Sequence, residues 1–147
     1  MRKINIIYAG GMKAGEKYYH EMISEYVKRL SGEFKITNIE IKEELSLKTE
    51  GVKILEKTNN KAYKIALCVE GKKLSSESFA ALLYRADFAS VDFIIGSSHG
   101  LSDEVKQSAD YLLSFSDMTF NHRLARVMLM EQIYRAYTIE TGRKYHK

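Results

Sequence analysis

Residues 114–147 read SFSDMTFNHRLARVMLMEQIYRAYTIETGRKYHK. The stretch contains the longest helical pattern of the chain, and the other elements are read around it. A helix is predicted over 122–140, with Asn121 as N-cap, because a short side-chain oxygen can accept a free backbone N–H of the first turn. Gly142 is placed to end it. Within it, Val127, Met128, Leu129 and Met130 are apolar at four successive positions, so every side of the cylinder is apolar at that level. Such a helix cannot lie on one sheet alone. A second cover must come from another part of the chain or from a second copy. Glu131 and Arg135 stand one turn apart and can pair.

Working back from that helix, short apolar runs alternate with helical spacing. Strands are expected over 3–9, 34–41, 63–69, 91–95 and 111–115. The run 63–69 is nearly continuous in apolar residues, as suits a strand covered on both faces. Helices are expected over 17–30, over 52–57 after a polar loop at 42–50, and from Ser75 or Ser76 to about Ala89. A short helix capped by Ser102 carries Asp103 and Glu104 in its first turn, where negative charge suits the helix dipole. The alternation predicts an α/β fold, a mostly parallel sheet flanked by helices. At 147 residues, the whole chain, 1–147, is read as one domain.

Composition narrows the function classes. The chain is 45% hydrophobic and 29% charged, which is ordinary for a water-soluble domain. No apolar run approaches the ~20 residues of a membrane span, so no membrane partner is expected. No signal peptide is read at the N-terminus. One cysteine forbids an internal disulfide and, with the missing signal, suggests a cytoplasmic location. The net charge of +4 permits a nucleic-acid partner without requiring one. The isolated His20 and His99 and the single Cys68 offer no metal-ligand spacing, and no metal is expected. Cys68 is read as a small apolar residue rather than a nucleophile.

Three loops follow strands: Glu70-Gly71-Lys72, residues 96–100, and residues 114–121. Ligands of open parallel sheets bind beyond the carboxyl ends of the strands, so these loops form the default site. GSSHG at 96–100 has neither P-loop nor dinucleotide-fingerprint spacing, and glycine-rich turns also occur simply for tight turning. His122, at a helix start, is read as structural. A Tyr-His-Lys chain end is commonly a frayed tail.

The combination of motifs points further. Leu67 with Gly71-Lys72, then Phe93-Ile94-Ile95-Gly96 with Gly100-Leu101-Ser102, then Leu113-Ser114, Ser116, Met118-Thr119-Phe120 and His122, closely resembles the RlmH family of SPOUT-class methyltransferases. So does the ending Arg126-Val127, Glu131-Gln132, Tyr134-Arg135-Ala136 and Tyr145-His146-Lys147. The resemblance spans nearly the whole chain and departs from the family at Ser97, commonly a second glycine, and at Asn121, commonly proline.

That resemblance implies methylation of N3 of a pseudouridine in 23S rRNA, with S-adenosylmethionine as cofactor, a C-terminal trefoil knot and a homodimer. It implies cofactor contacts at Leu67, Gly96, Ser97, Ser116, Asp117, Met118, Thr119, Phe120 and Asn121. It also implies a substrate side made of Arg135, Tyr145, His146 and Lys147. N3 of a uracil-type ring must lose a proton before it attacks. His146 is therefore the candidate proton acceptor, Arg135 the group that holds phosphate or the ring anion, and Tyr145 a stacking surface for a base. The modest charge suggests that binding uses a surface composed from two subunits and an assembled ribosome as target. Two other readings stay open: methylation of tRNA by the same fold, and a non-catalytic RNA- or nucleotide-binding module.

Overall fold

Ser90–Ile95 is buried at all six positions, which requires a strand with covered faces on both sides. The computed structural model describes residues 1–11, 15–85 and 88–147. Its strands are Arg2–Ala9 (β1), Phe34–Ile41 (β2), Tyr63–Lys73 (β3), Ser90–Ile95 (β4) and Tyr111–Ser114 (β5), with helices Lys17–Leu30 (α1), Leu47–Glu56 (α2), Ser76–Leu83 (α3), Asp103–Ser108 (α4) and His122–Glu140 (α5). The strands form one parallel sheet in the order β2-β1-β4-β3-β5. The expected α/β class with a parallel sheet is therefore observed.

Side-chain alternation along the strands sorts the core into two layers. Ile4, Ile6 and Tyr8 of β1, with Phe93 and Ile95 of β4, face α1, α3 and α5. Ile7, Ala9 and Ile94 face the opposite side, where Ile54 of α2 and Val105 of α4 close a smaller core. The second cover that Val127, Leu129 and Met130 require comes from the chain itself. All three are buried, and α5 packs against α1 and α3 as well as the sheet. Of the two covers expected, the chain's own is therefore the one that buries these three residues, while Met128 stays half-buried and lines a groove.

Several boundaries differ from the sequence reading. α2 begins at Leu47, within the stretch read as a loop, because Ser46 accepts the Thr49 N–H as N-cap. The polar composition of 42–50 hid this start, since Glu50 points inward and is only 1% exposed. α3 ends at Leu83, with Tyr84 as its C-cap, so it is shorter than expected; Ala86 and Asp87 lie outside the described residues. β3 continues past Val69 to Lys73. Leu67 and Lys72 both pair with Leu113, and the four residues between them leave the ladder. The loop expected at Glu70-Gly71-Lys72 is thus an excursion within a strand. At Gly71 a Cβ would lie 2.7 Å from the Leu112 carbonyl carbon, so the excursion presses glycine backbone directly on β5. The caps of α5 agree with expectation. The Asn121 side chain accepts from the Arg123 N–H, and Gly142 takes φ +70°, a left-handed conformation that suits glycine.

Candidate functional site

The excursion of β3 and the carboxyl ends of β4 and β5 open into a cleft of about 710 Å³. Its size falls within the roughly 300–1,000 Å³ of small-molecule sites. Of the nine residues expected at a cofactor, Leu67, Gly96, Ser97, Ser116, Met118, Thr119, Phe120 and Asn121 line this cleft. Asp117 does not. Its carboxylate accepts from Lys73 Nζ at 2.6 Å, and the side chain is exposed.

Local chemistry shapes the two loops. Residues 97 and 100 form a tight bridge, closed by Gly100 N–H donating to the Ser97 carbonyl at 3.0 Å. A Cβ at Gly96 would overlap the Gly100 carbonyl, so any larger residue there would open the bridge. In the other loop, Ser114 Oγ donates to the Ser116 carbonyl at 2.9 Å, and Ser116 Oγ accepts the Met118 N–H at 3.1 Å. These short side-chain bonds curl 114–118 without regular secondary structure. Ser97 turns its hydroxyl to the buried Glu50, 3.0 Å away. A serine at this position is thus anchored to a residue that does not line the cleft.

Charged groups rim the cleft. Glu70 and Lys106 form an ion pair; the lysine holds the Glu70 carboxyl below its ordinary range, and the pair raises Lys106 in turn. His122 and Arg123, at the start of α5, also line it. Burial, helped by the nearby Arg123 charge, pushes the His122 imidazole toward its neutral form. Its Nε2 is buried without a hydrogen-bond partner. Arg123 is held by the Gly11 carbonyl at 2.9 Å and by Glu16 at 3.6 Å. Burial raises the Cys68 thiol, with Glu70 adding to the effect. Among the described residues, no group of three or more His, Cys, Asp or Glu can hold a metal.

Arg135, Tyr145 and His146 gather at a second place. Glu131 accepts from Arg135 Nη2 at 2.7 Å, from Arg135 Nε at 3.1 Å and from Tyr145 Oη at 3.1 Å. Arg135 Nη1 lies 3.1 Å from His146 Nδ1. Guanidinium only donates, so Nδ1 is the acceptor and the ring proton sits on Nε2, which meets the Glu77 carboxylate. Both nitrogens of His146 are thus engaged within the chain. Lys147 is exposed at the chain end. None of these four residues lines the cleft. Arg135 and Tyr145 reach, through Glu131, a second groove of about 470 Å³ that Glu131 helps to line and that shares Leu113, Ser114 and Phe115 with the cleft.

The family model described as "Predicted SPOUT methyltransferase" matches residues 2–146. This chain belongs to that family. Curated relatives of this SPOUT protein bear the name Ribosomal RNA large subunit methyltransferase H. The one from Streptococcus agalactiae serotype III (strain NEM316) is 42% identical over 160 aligned positions, covering 99% of both chains. Those from Oenococcus oeni (strain ATCC BAA-331 / PSU-1) and Caldicellulosiruptor saccharolyticus (strain ATCC 43494 / DSM 8903 / Tp8T 6331) are 40% and 44% identical, covering 98% or more of each chain. Among solved structures, a probable methylase family protein from Haemophilus influenzae Rd KW20 superposes with a TM-score of 0.59. The match covers 98% of this chain and 70% of that one at 11% identity, a likeness of fold.

A methyltransferase needs a methyl donor, and the cleft of this SPOUT chain has the size of a small-molecule site. Gly96 lets the 96–100 loop close tightly, since a Cβ there would meet the Gly100 carbonyl, while Leu67, Leu101 and Phe120 supply apolar walls. The sequence reading missed Glu43, Lys106 and Arg123 at the cleft and took His122 as structural. Arg123 and His122 stand immediately after the matched loop and were within reach. Glu43 and Lys106 come from distant elements with no motif to mark them.

Proposed function

We propose that this chain transfers a methyl group from S-adenosylmethionine to N3 of a pseudouridine in 23S rRNA, on the assembled ribosome in the cytoplasm. The observation that carries this reading is the convergence of Leu67, Gly96-Ser97 and the 116–121 loop on one cleft, in a chain 40–44% identical to proteins named as methyltransferases of the large-subunit rRNA. The donor supplies an electrophilic methyl carbon on a sulfonium. The protein's part is to hold both partners in line and to deal with the N3 proton. Leu67 and the two loops hold the donor. Arg135 steadies phosphate or the ring anion, Tyr145 stacks on the exposed base, and Lys147 adds positive charge at the rim.

His146 takes the proton from N3 on Nδ1, the ring nitrogen without a proton, which must first exchange Arg135 for the base. The tail residues do not line their own chain's cleft, and Arg135 and Tyr145 bond Glu131 instead, which supports a homodimer in which the tail of one subunit completes the cleft of its partner. A net charge of only +4 supports the same view, because phosphate attraction grows with the number of cations engaged. The C-terminal trefoil knot belongs to this proposal too. Among the described residues, no helix is long and apolar enough to cross a membrane.

Mass spectrometry of 23S rRNA from a strain lacking the protein tests the reading; it predicts the loss of one N3-methylated pseudouridine. In vitro, ribosomes are expected to accept methyl groups far better than free rRNA or tRNA. Preferential labelling of tRNA would reassign the substrate. A chain that takes up no S-adenosylmethionine in calorimetry would be a non-catalytic binding module instead.

A further inference from the structure

We infer that Glu50 is a positioning residue for the donor cleft. Its buried carboxylate ties the Gly96-Ser97 loop to the segment before α2 and thereby sets donor affinity. The inference rests on the reading of this cleft as the donor site.

Glu50 lies in the first turn of α2, and at 1% exposure it is among the most buried charged side chains of the protein. One oxygen accepts from Ser97 Oγ at 3.0 Å; the other accepts the Glu44 N–H at 3.1 Å. Among the described residues, no lysine or arginine forms an ion pair with it. An unpaired buried carboxylate is expensive, and an apolar side chain would serve bare stability better. What an apolar residue cannot supply is the two acceptors. Both donors belong to segments that border the cleft. Ser97 lines it directly, and Glu43, which precedes Glu44, lines the same side.

Two further contacts lie along this seam. Ser98 Oγ reaches Glu43 at 3.5 Å from the solvent side. Gly51, next to Glu50, leaves no room for a Cβ against the Ser102 side chain, so α2 presses closely on the chain just beyond the glycine bridge. α2 therefore acts as a fixed post, and Glu50 is the point where the loop is pinned to it. Without the pin, the loop backbone that faces the donor would have to be ordered at the moment of binding, and that ordering weakens affinity.

The test is calorimetric titration of the full chain with S-adenosylmethionine, alongside steady-state methylation of ribosomes and thermal melting. Glu50→Ala is expected to raise the donor Kd roughly tenfold, the scale of a lost buried bond to a charged group. kcat at saturating donor should change little. Glu50→Gln should recover most of the affinity, because its amide oxygen can still accept from Glu44 while its NH2 donates to Ser97. Ser97→Ala should weaken donor binding in the wild-type background and have no added effect on Glu50→Ala, the mark of a coupled pair. If Glu50→Ala does not fold, Ser97→Ala and Glu50→Gln decide. Unchanged donor affinity in Ser97→Ala and Glu50→Ala, or additive effects in the double variant, would overturn the inference. Failure of the wild-type chain to bind the donor at all would instead overturn the reading of the cleft on which it rests.

Discussion

The guanidinium carbon of Arg126 lies 3.3 Å from the ring centroid of Tyr8, joining the second turn of α5 to β1. Arg126 is only 3% exposed, and burial pulls its pKa down against the opposing influence of Tyr8 and Glu40. Burial likewise raises the Tyr8 phenol. The cation on the ring face thus fastens the start of α5, with its cleft residues His122 and Arg123, to the sheet.

Arg126→Ala should therefore destabilise the fold by about 2 kcal/mol or more, the scale of a desolvated cation on a ring face together with the void left behind. Arg126→Met, which keeps much of the volume, should cost less. Urea unfolding checks both; an alanine variant within about 1 kcal/mol of wild type would show that the stack contributes little.

Glu131 holds the tail cluster by accepting from both Arg135 and Tyr145 on one oxygen. The side chains are about a quarter exposed, so Glu131→Ala should change stability by only about 1 kcal/mol. Ribosome methylation should fall much further, by at least about tenfold, because the orientation of two substrate-side groups is lost together. Donor affinity measured in calorimetry should be retained. Equal losses in melting temperature and activity would reduce Glu131 to a structural role.

Gly96→Ala should abolish or strongly weaken donor binding. Its new Cβ would overlap the Gly100 carbonyl, which is backbone and cannot rotate away. The bridge between Ser97 and Gly100 would have to open, moving the loop by more than a side-chain adjustment. Titration with S-adenosylmethionine measures this, and an affinity within threefold of wild type would contradict it.

Burial lowers the His122 pKa below its ordinary value, and this sets the sign of a pH effect. Above about pH 6.5 the ring is neutral in both the folded and the unfolded chain, so it contributes no slope. As pH falls below that value the unfolded chain takes up a proton that the folded site resists. Stability should then decline by at most about 1.4 kcal/mol per pH unit until the folded site itself protonates. His122→Gln should flatten the melting-temperature profile just below about pH 6.5 relative to wild type. Parallel profiles would exclude His122 as the source.

Some of this was readable from residue order alone. The α/β class, the five strands and the extent of α5 follow from apolar periodicity and from Asn121 and Gly142, because such local signals depend on near neighbours only. The cleft loops were legible because the Gly96 to Gly100 and Ser114 to Asn121 stretches carry their own turn chemistry in consecutive residues. The pairing of Glu131 with Arg135 followed from one helical turn. What escaped was whatever depends on partners far along the chain. The Ser46 start of α2 was lost in a polar run, because charge alone cannot reveal that Glu50 is turned inward to meet Ser97. The excursion in β3 needed β5 beside it to exist. The cover of Val127, Leu129 and Met130 by α1 and α3, and the stacking of Arg126 on Tyr8, arise only once the sheet brings β1 and α5 together. Local propensity is written residue by residue, whereas burial and pairing are properties of the folded arrangement, so only the tertiary structure could decide them.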